Sequence, residues 1–313
     1  MELFKTETKI DFLSERPRNL WFVISILLVL AALAGLFWRG LNFGIDFTGG
    51  ALIEVDYPSS IELNQVREDL AKAGYADASV QYFGTSNAVL IRLKASAQTA
   101  NTEQLTARIL QALQTRAPQV KLHRAELVGP QVGQELANQG GVATLLAVVG
   151  ILIYIALRFE FRFGFGAVVA LLHDVLITVG ILAWFQVTFD LSALAAVLTV
   201  LGYSVNDTIV IFDRIRENFA SMRRASPMEV MNASINQTLS RTIITHGVTL
   251  LSVLALLFLG GEVIRPFSIA MTVGIVFGTY SSIYIASALA LIMGVSRENL
   301  ITANKGDKPK AQV

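Results

Sequence analysis

Asn206 and Asp207 stand side by side in "GYSVNDTIVIFDRIREN" (202–218), a stretch that otherwise suits hydrocarbon until it reaches its charged end. A carboxylate at the centre of a membrane costs about 2.5–3.5 kcal/mol on insertion scales, and residues of this kind mark ion or proton pathways. Arg241, in "QTLSRTIIT" (237–245), is the cation that could answer it. An adjacent arginine keeps a carboxylate ionised, whereas desolvation favours the neutral acid. A group balanced between the two can load and release a proton; the plainer alternative is a fixed ion pair joining two helices. Other chemistries find little footing. There is no cysteine, and the three histidines, at 123, 173 and 246, are not at paired metal-ligand spacing. No catalytic set, metal site or cofactor is expected, and a net charge of +1 gives no reason to expect nucleic-acid binding.

The elements that must position these residues are transmembrane. The chain is 53% hydrophobic and only 16% charged, against about 25% charge in soluble domains. Six apolar runs approach the roughly 20 residues a spanning helix needs: 20–38, 141–157, 163–185, 191–212, 243–259 and 267–293. The first is longer than a signal-peptide core and reads as an uncleaved anchor. Basic residues cluster before span one (Lys5, Lys9, Arg16, Arg18), after span two (Arg158, Arg162), after span four (Arg214, Arg216, Arg223, Arg224) and in the tail. The positive-inside rule then places both termini in the cytoplasm and exports the segment between spans one and two. The expected division is a cytoplasmic segment 1–19, span one 20–38, an exported domain 39–140, a five-helix bundle 141–293 and a cytoplasmic tail 294–313.

In span four, Thr199, Gly202, Tyr203, Asn206, Asp207, Asp213 and Arg214 recur at steps of three and four, with Ser204 beside them. Leu198, Leu201, Val205, Ile209 and Phe212 fill the other side, so a polar stripe is expected to face the bundle interior or a water-filled cavity. In span five Arg241, Thr245, Thr249 and Ser252 repeat at near-helical intervals. Asp207 lies roughly 9 Å above the cytoplasmic exit at 1.5 Å rise per residue, a depth Arg241 could reach from the start of span five. Asp174, beside His173 in span three, is as readily structural as functional. The Gly274/Gly278 pair reads as close helix packing.

Between Asn42 and about Gly140 the composition turns soluble. Strands are expected at 50–57, 78–84, 87–95 and 120–129, with "TSN" (85–87) as a turn. Helices are expected at 61–74, stopped by Gly74, and at 101–116, capped by Asn101 or Thr102. The order β-α-β-β-α-β is the ferredoxin-like pattern. His123 reads as an ordinary strand residue on a solvated face with Lys121 and Arg124. Two glycine-containing connectors, with Gly44, Gly49 and Gly50 in one and Gly129, Pro130 and Gly133 in the other, are candidate hinges.

Seven stretches carry a family resemblance: "GIDFTGG" (44–50), "LVGPQVG" (127–133), "RFEFRFG" (158–164), "HDV" (173–175), "GYSVNDTIVIFDRIRENF" (202–219), "QTLSRTIIT" (237–245) and "SSIYIASALAL" (281–291). In order and over nearly the whole chain, they resemble the SecD/SecF family of bacterial protein-export subunits, on its SecF side, within the resistance-nodulation-division superfamily. The resemblance implies a non-enzymatic inner-membrane motor that uses the proton-motive force, with protons as its coupling ion, to help secretory proteins across. It implies SecD, the SecYEG translocon and YajC as partners, SecA and YidC indirectly, and unfolded preproteins as cargo. Asp207 matches the family's proton-responsive Asp and Arg241 its Arg at the head of span five, with Asn206, Tyr203, Ser204, Asp174 and Thr245 as the supporting polar face. A small-solute antiporter half and a passive translocon scaffold are the rival expectations.

Overall fold

The structure, a computed structural model, describes residues 10–94 and 102–296. The expected helix cap at Asn101 or Thr102 lies outside the residues whose side chains are described, as do Lys5, Lys9 and the tail beyond 296.

Among the described residues, six helical segments are long and apolar enough to cross a membrane: α1 (Glu15–Trp38), α5 (Pro130–Arg158), α6 (Phe161–Trp184), α7 (Leu191–Ser221), α8 (Pro227–Leu259) and the segment from Arg265 to Ile292. The last is not one continuous α-helix. It runs as α9 (Arg265–Ser281), a π-helical turn (Ser282–Ala286) and a short α10 (Ser287–Ile292).

Several helices overrun their apolar runs, which corrects the expected boundaries. Span two begins at Pro130 and not near Gly141: Gly129 is its N-cap and Pro130 its first helical residue, where a missing N–H costs nothing. At 29 residues it is about 44 Å long, against a hydrocarbon layer of about 30 Å. Its polar start, "PQVGQELANQ", is the part that the hydrocarbon layer does not need. Likewise α7 continues through "DRIREN" to Ser221, and α8 starts at Pro227 behind a capping box formed by Ser226 and Glu229. The long loop expected there shrinks to 222–226. The Arg158 guanidinium donates to Asp213 at 2.6 Å, tying the end of α5 to α7.

Lipid is as apolar as leucine, so these helices hold together by close packing and internal hydrogen bonds and not by escape from water. Glycines permit the contacts. A Cβ on Gly274 would stand 2.1 Å from Val200, and one on Gly180 would stand 2.4 Å from Ala32. Helix α7 sits in the middle. Its expected lipid face is buried: Leu201, Val205 and Phe212 pack with Phe163 of α6 and Phe159. The polar stripe splits, with Asp207, Ser204 and Thr208 facing inward and Gly202 and Asn206 exposed.

Between α1 and α5 lies the α+β domain: β1 (Asn42–Phe43), α2 (Ile45–Thr48), β2 (Gly50–Asp56), α3 (Leu63–Lys72), β3 (Ser79–Phe83), β4 (Thr85–Lys94), α4 (Thr102–Gln114) and β5 (Lys121–Val128). The larger sheet is antiparallel in the order β3-β4-β2-β5. Alternation along β2 and β4 sends Ala51, Ile53, Val55, Val89, Ile91 and Leu93 into a core with α3 and α4. The expected "TSN" turn is instead the start of β4. Gly84, at φ +76°, makes the reversal by itself, with the register shifting between Tyr82 and Phe83. His123 is exposed as expected, but it is paired: Nδ1 lies 3.0 Å from Asp56 and Nε2 lies 3.9 Å from Glu54.

The sheet's other face looks onto the bundle. Strand β1 pairs in parallel with β6 (Thr188–Phe189) of the loop between α6 and α7. Arg92 of β4 donates to Asn42 Oδ1 at 2.9 Å and to Thr188 Oγ1 at 3.0 Å. Burial pushes this guanidinium below its ordinary value, and nearby Asp190 opposes the shift. A cavity of about 600 Å³ opens at the same junction, lined among others by Glu54, Gln81, Arg92, Asp190 and Glu262.

The candidate hinges form a packed joint. Gly49 and Gly50 hold φ of +67° and +130°, which L side chains rarely adopt. A Cβ on Gly133 would stand 2.7 Å from the Gly49 amide nitrogen. The two connectors thus touch backbone to backbone, and Gly129 and Pro130 belong to the start of α5, not to a free swivel.

Candidate functional site

Asp207 is 5% exposed, deep in the bundle where α7, α8 and the π turn meet. One oxygen, Oδ1, accepts from Thr242 Oγ1 of α8 at 2.8 Å. The other, Oδ2, accepts from Ser282 Oγ at 2.7 Å. His246, one helical turn beyond Thr242, brings Nε2 to 3.9 Å from Oδ1, while its Nδ1 meets the Thr279 hydroxyl of α9. The Tyr203 ring lies 4.9 Å from that imidazole, and its hydroxyl sits 3.1 Å from both the Thr245 carbonyl and Thr249 Oγ1.

Arg241 does not fill the place expected for it. Its side chain is exposed, and no ion pair joins it to Asp207. Consecutive helical residues point about 100° apart, so when Thr242 faces Asp207 its neighbour cannot. Thr245 is exposed for the same reason, and only its backbone carbonyl meets Tyr203. Asn206 opens onto a groove between α5 and α7, with Gly150, Tyr154 and Gly202. The structure therefore gathers Asp207, Tyr203 and Ser204 near one centre and leaves Arg241, Asn206 and Thr245 on the surface of this chain.

A second buried carboxylate is held by Ser281, the residue before Ser282. Asp174 of α6 is 0% exposed. Its Oδ2 accepts from Ser204 of α7 and Ser281 of α9, both at 2.6 Å. Its Oδ1 lies 2.9 Å from His173 Nδ1. Thr242, Ser281 and Ser282 escaped sequence reasoning, because a hydroxyl in a spanning helix usually marks close packing and nothing more; His246 was weighed only as a metal ligand. Position held the only signal: Thr242 and His246 are i,i+4 on one face, and "SS" opens a stretch with no other strong polar group.

Ser282 also opens the π turn. Its carbonyl accepts from Ser287 Oγ at 2.9 Å, and Ser281 and Ser282, as consecutive helical residues about 100° apart, meet different carboxylates. Such turns are rare and concentrate at functional positions.

Comparison with known proteins places this geometry. Residues 108–296 match the family model described as "Protein export membrane protein SecD/SecF, C-terminal", and residues 35–57 match the SecD/SecF GG motif. The chain belongs to the SecD/SecF family. Proteins named protein translocase subunit SecF share 49% identity in Pseudomonas aeruginosa (93% of this chain, 94% of that one) and 46% in Vibrio alginolyticus (96% and 95%). The crystal structure of SecDF from Thermus thermophilus, a translocon-associated membrane protein, superimposes with a TM-score of 0.83 at 36% identity, over 93% of this chain. A super-membrane-facing form of SecDF gives 0.68. This chain spans 39% of the former structure's chain and 41% of the latter's. It is thus a multi-pass membrane protein of the SecD/SecF family, and the GG motif acquires a physical reason: Gly49 and Gly50 hold positive φ beneath the start of α5.

Proposed function

We propose that the chain is the SecF-type half of a proton-driven export motor in the bacterial inner membrane, with Asp207 as its proton-exchange group. The observation that carries this is the company Asp207 keeps. An arginine only donates, so it would hold the carboxylate charged; a hydroxyl both donates and accepts. Thr242 and Ser282 can therefore bond either protonation state of Asp207 without leaving a buried polar group unsatisfied. Family membership supports assembly with SecD, SecYEG and YajC, with SecA and YidC acting indirectly, and with unfolded secretory preproteins as the cargo.

Exposed Arg241, Asn206 and Thr245 are surfaces for SecD to cover, and Arg241 approaches the proton path from that side. The basic loops support cytoplasmic termini and an exported domain. Its β-α-β-β-α-β order and antiparallel sheet support a ferredoxin-like assignment. Protons are the only coupling ion the scheme needs.

Inverted membrane vesicles test it. Asp207→Asn is expected to abolish the stimulation of preprotein export by a proton gradient while SecD still copurifies. Normal export kinetics in that variant, with the gradient intact, would sink the motor reading and leave a scaffold. Uphill movement of a dye by reconstituted protein without preprotein would favour the antiporter instead.

A further inference from the structure

We propose that His173 and Asp174 form a second proton-binding site, coupled to Asp207 through the adjacent hydroxyls of Ser281 and Ser282. The proposal rests on the reading of Asp207 as a proton site and adds a partner to it.

Three observations support it. First, Asp174 is fully buried and, like Asp207, is held by hydroxyls, with no arginine or lysine among the described residues paired to it. His173 is 5% exposed, and its Nε2 is buried with no hydrogen-bond partner. A carboxylate meant only to anchor helices gains nothing from an imidazole with one nitrogen left unsatisfied.

Second, the hydroxyls that hold the two carboxylates are neighbours along the chain. Ser281 donates to Asp174, and Ser282, the next residue, donates to Asp207. Ser204, which also donates to Asp174, lies one turn before Asp207 on α7.

Third, each bridging serine has a second acceptor waiting. Ser281 Oγ is 3.2 Å from the Gly278 carbonyl, and Ser282 Oγ is 3.1 Å from the Thr279 carbonyl. When a proton joins a carboxylate oxygen, the new acid O–H becomes a donor. The serine can then swing its own hydrogen to the carbonyl and accept from the acid. Thr279, whose carbonyl Ser282 would take, also meets His246 of α8 through its hydroxyl.

The ionisable groups facing this network are few. His173 adjoins Asp174 on α6, and Tyr280 of α9 lies 5.9 Å from it ring to ring. Tyr284 of the π turn stacks beyond Tyr280 at 5.5 Å. On the far side of the serines stand Asp207 of α7, His246 of α8 and Tyr203. From α1, the neutral Ser25 contacts the Tyr280 hydroxyl.

Infrared difference spectra against pH, recorded on the complex purified from native membranes with ¹³C-carboxyl aspartate, test the proposal. Two buried carboxyl bands are expected. Asp174→Asn should delete one and move the midpoint of the other by about one pH unit or more, as coupled sites do. Asp207→Asn should do the converse with a shift of equal size, because linkage is reciprocal. Ser281→Ala with Ser282→Ala should keep both bands and shrink the mutual shift, and because this variant retains both carboxylates it also covers the case in which Asp174→Asn fails to assemble. Loss of no band in Asp174→Asn, or an unmoved Asp207 midpoint in both this variant and the serine pair, overturns the proposal and leaves Asp174 a fixed anion. Loss of no band in Asp207→Asn overturns the proposed function itself, whatever Asp174 does.

Discussion

Gly133→Ala isolates the joint between the two glycine connectors. The added methyl would sit 2.7 Å from the Gly49 nitrogen and 3.2 Å from its Cα. Both are backbone atoms, held by the positive φ of Gly49 and by the hydrogen bond that its N–H donates to Ile45 O at 2.9 Å. No side chain can rotate away. Ordinary van der Waals contact begins at 3.4 Å, so the start of α5 must lift from the α2–β2 turn by about 0.7 Å, an overpacking that costs about 1–3 kcal/mol. The substitution also replaces a helical glycine by alanine, which returns about 0.8–1.0 kcal/mol. Gly141→Ala, in the same helix with nothing within 4 Å, keeps the second effect without the first. The two variants should therefore differ by about 1–3 kcal/mol, with Gly141→Ala the more stable. Thermal unfolding of the detergent-purified complex reads the difference, and amide exchange at residues 48–50 should accelerate in Gly133→Ala alone. Equal stability with equal exchange would refute the packed joint and restore the connectors as free hinges.

Arg241→Ala should leave the stability of this chain unchanged within about 0.5 kcal/mol, as for an exposed side chain with no ion pair among the described residues, while lowering gradient-driven export in vesicles; a marked loss of stability would place Arg241 inside the bundle. Burial lifts the Glu54 carboxyl above the ordinary glutamate range, with Asp56 and Glu126 adding to the shift and His123 and Arg124 opposing it. An acid whose folded value is raised makes its full contribution to stability below the unfolded value, about 4.3, and that contribution is lost as pH rises through the folded value. Glu54→Gln should therefore flatten the fall in domain stability just above pH 4.3 and leave the domain more stable near neutrality, as read by denaturant unfolding at several pH values.

The transmembrane count and the strand order were legible because both rest on long apolar patterns. Helix ends were harder to read. "PQVGQELANQ" and "DRIREN" are polar and carry no apolar run, yet one stands on a proline start and the other continues a helix already begun. The capping box at Ser226 and Glu229 was readable as S-x-x-E, and it would have moved the start of α8 by itself. At the site, depth was legible and facing was not. Arg241 and Thr242 are equally deep, and one step of helical rotation decides which meets Asp207. No periodicity announces the π turn that Ser282 opens. Asp174 was visible as a buried carboxylate, but its hydrogen bond from Ser281 was not.

The two-residue pairing of β1 with β6 also sets an order of assembly. Asn42 leaves the ribosome early, and the Gln186 carbonyl it bonds at 2.9 Å is made 144 residues later. At 5–20 residues per second that is a wait of about 7–30 s. The four-stranded sheet, complete by Val128, has time to fold alone while its seat does not yet exist. Docking then waits on insertion of the third and fourth spans, so a stalled insertion would leave a folded domain with Arg92 and the edge of β1 open to other chains.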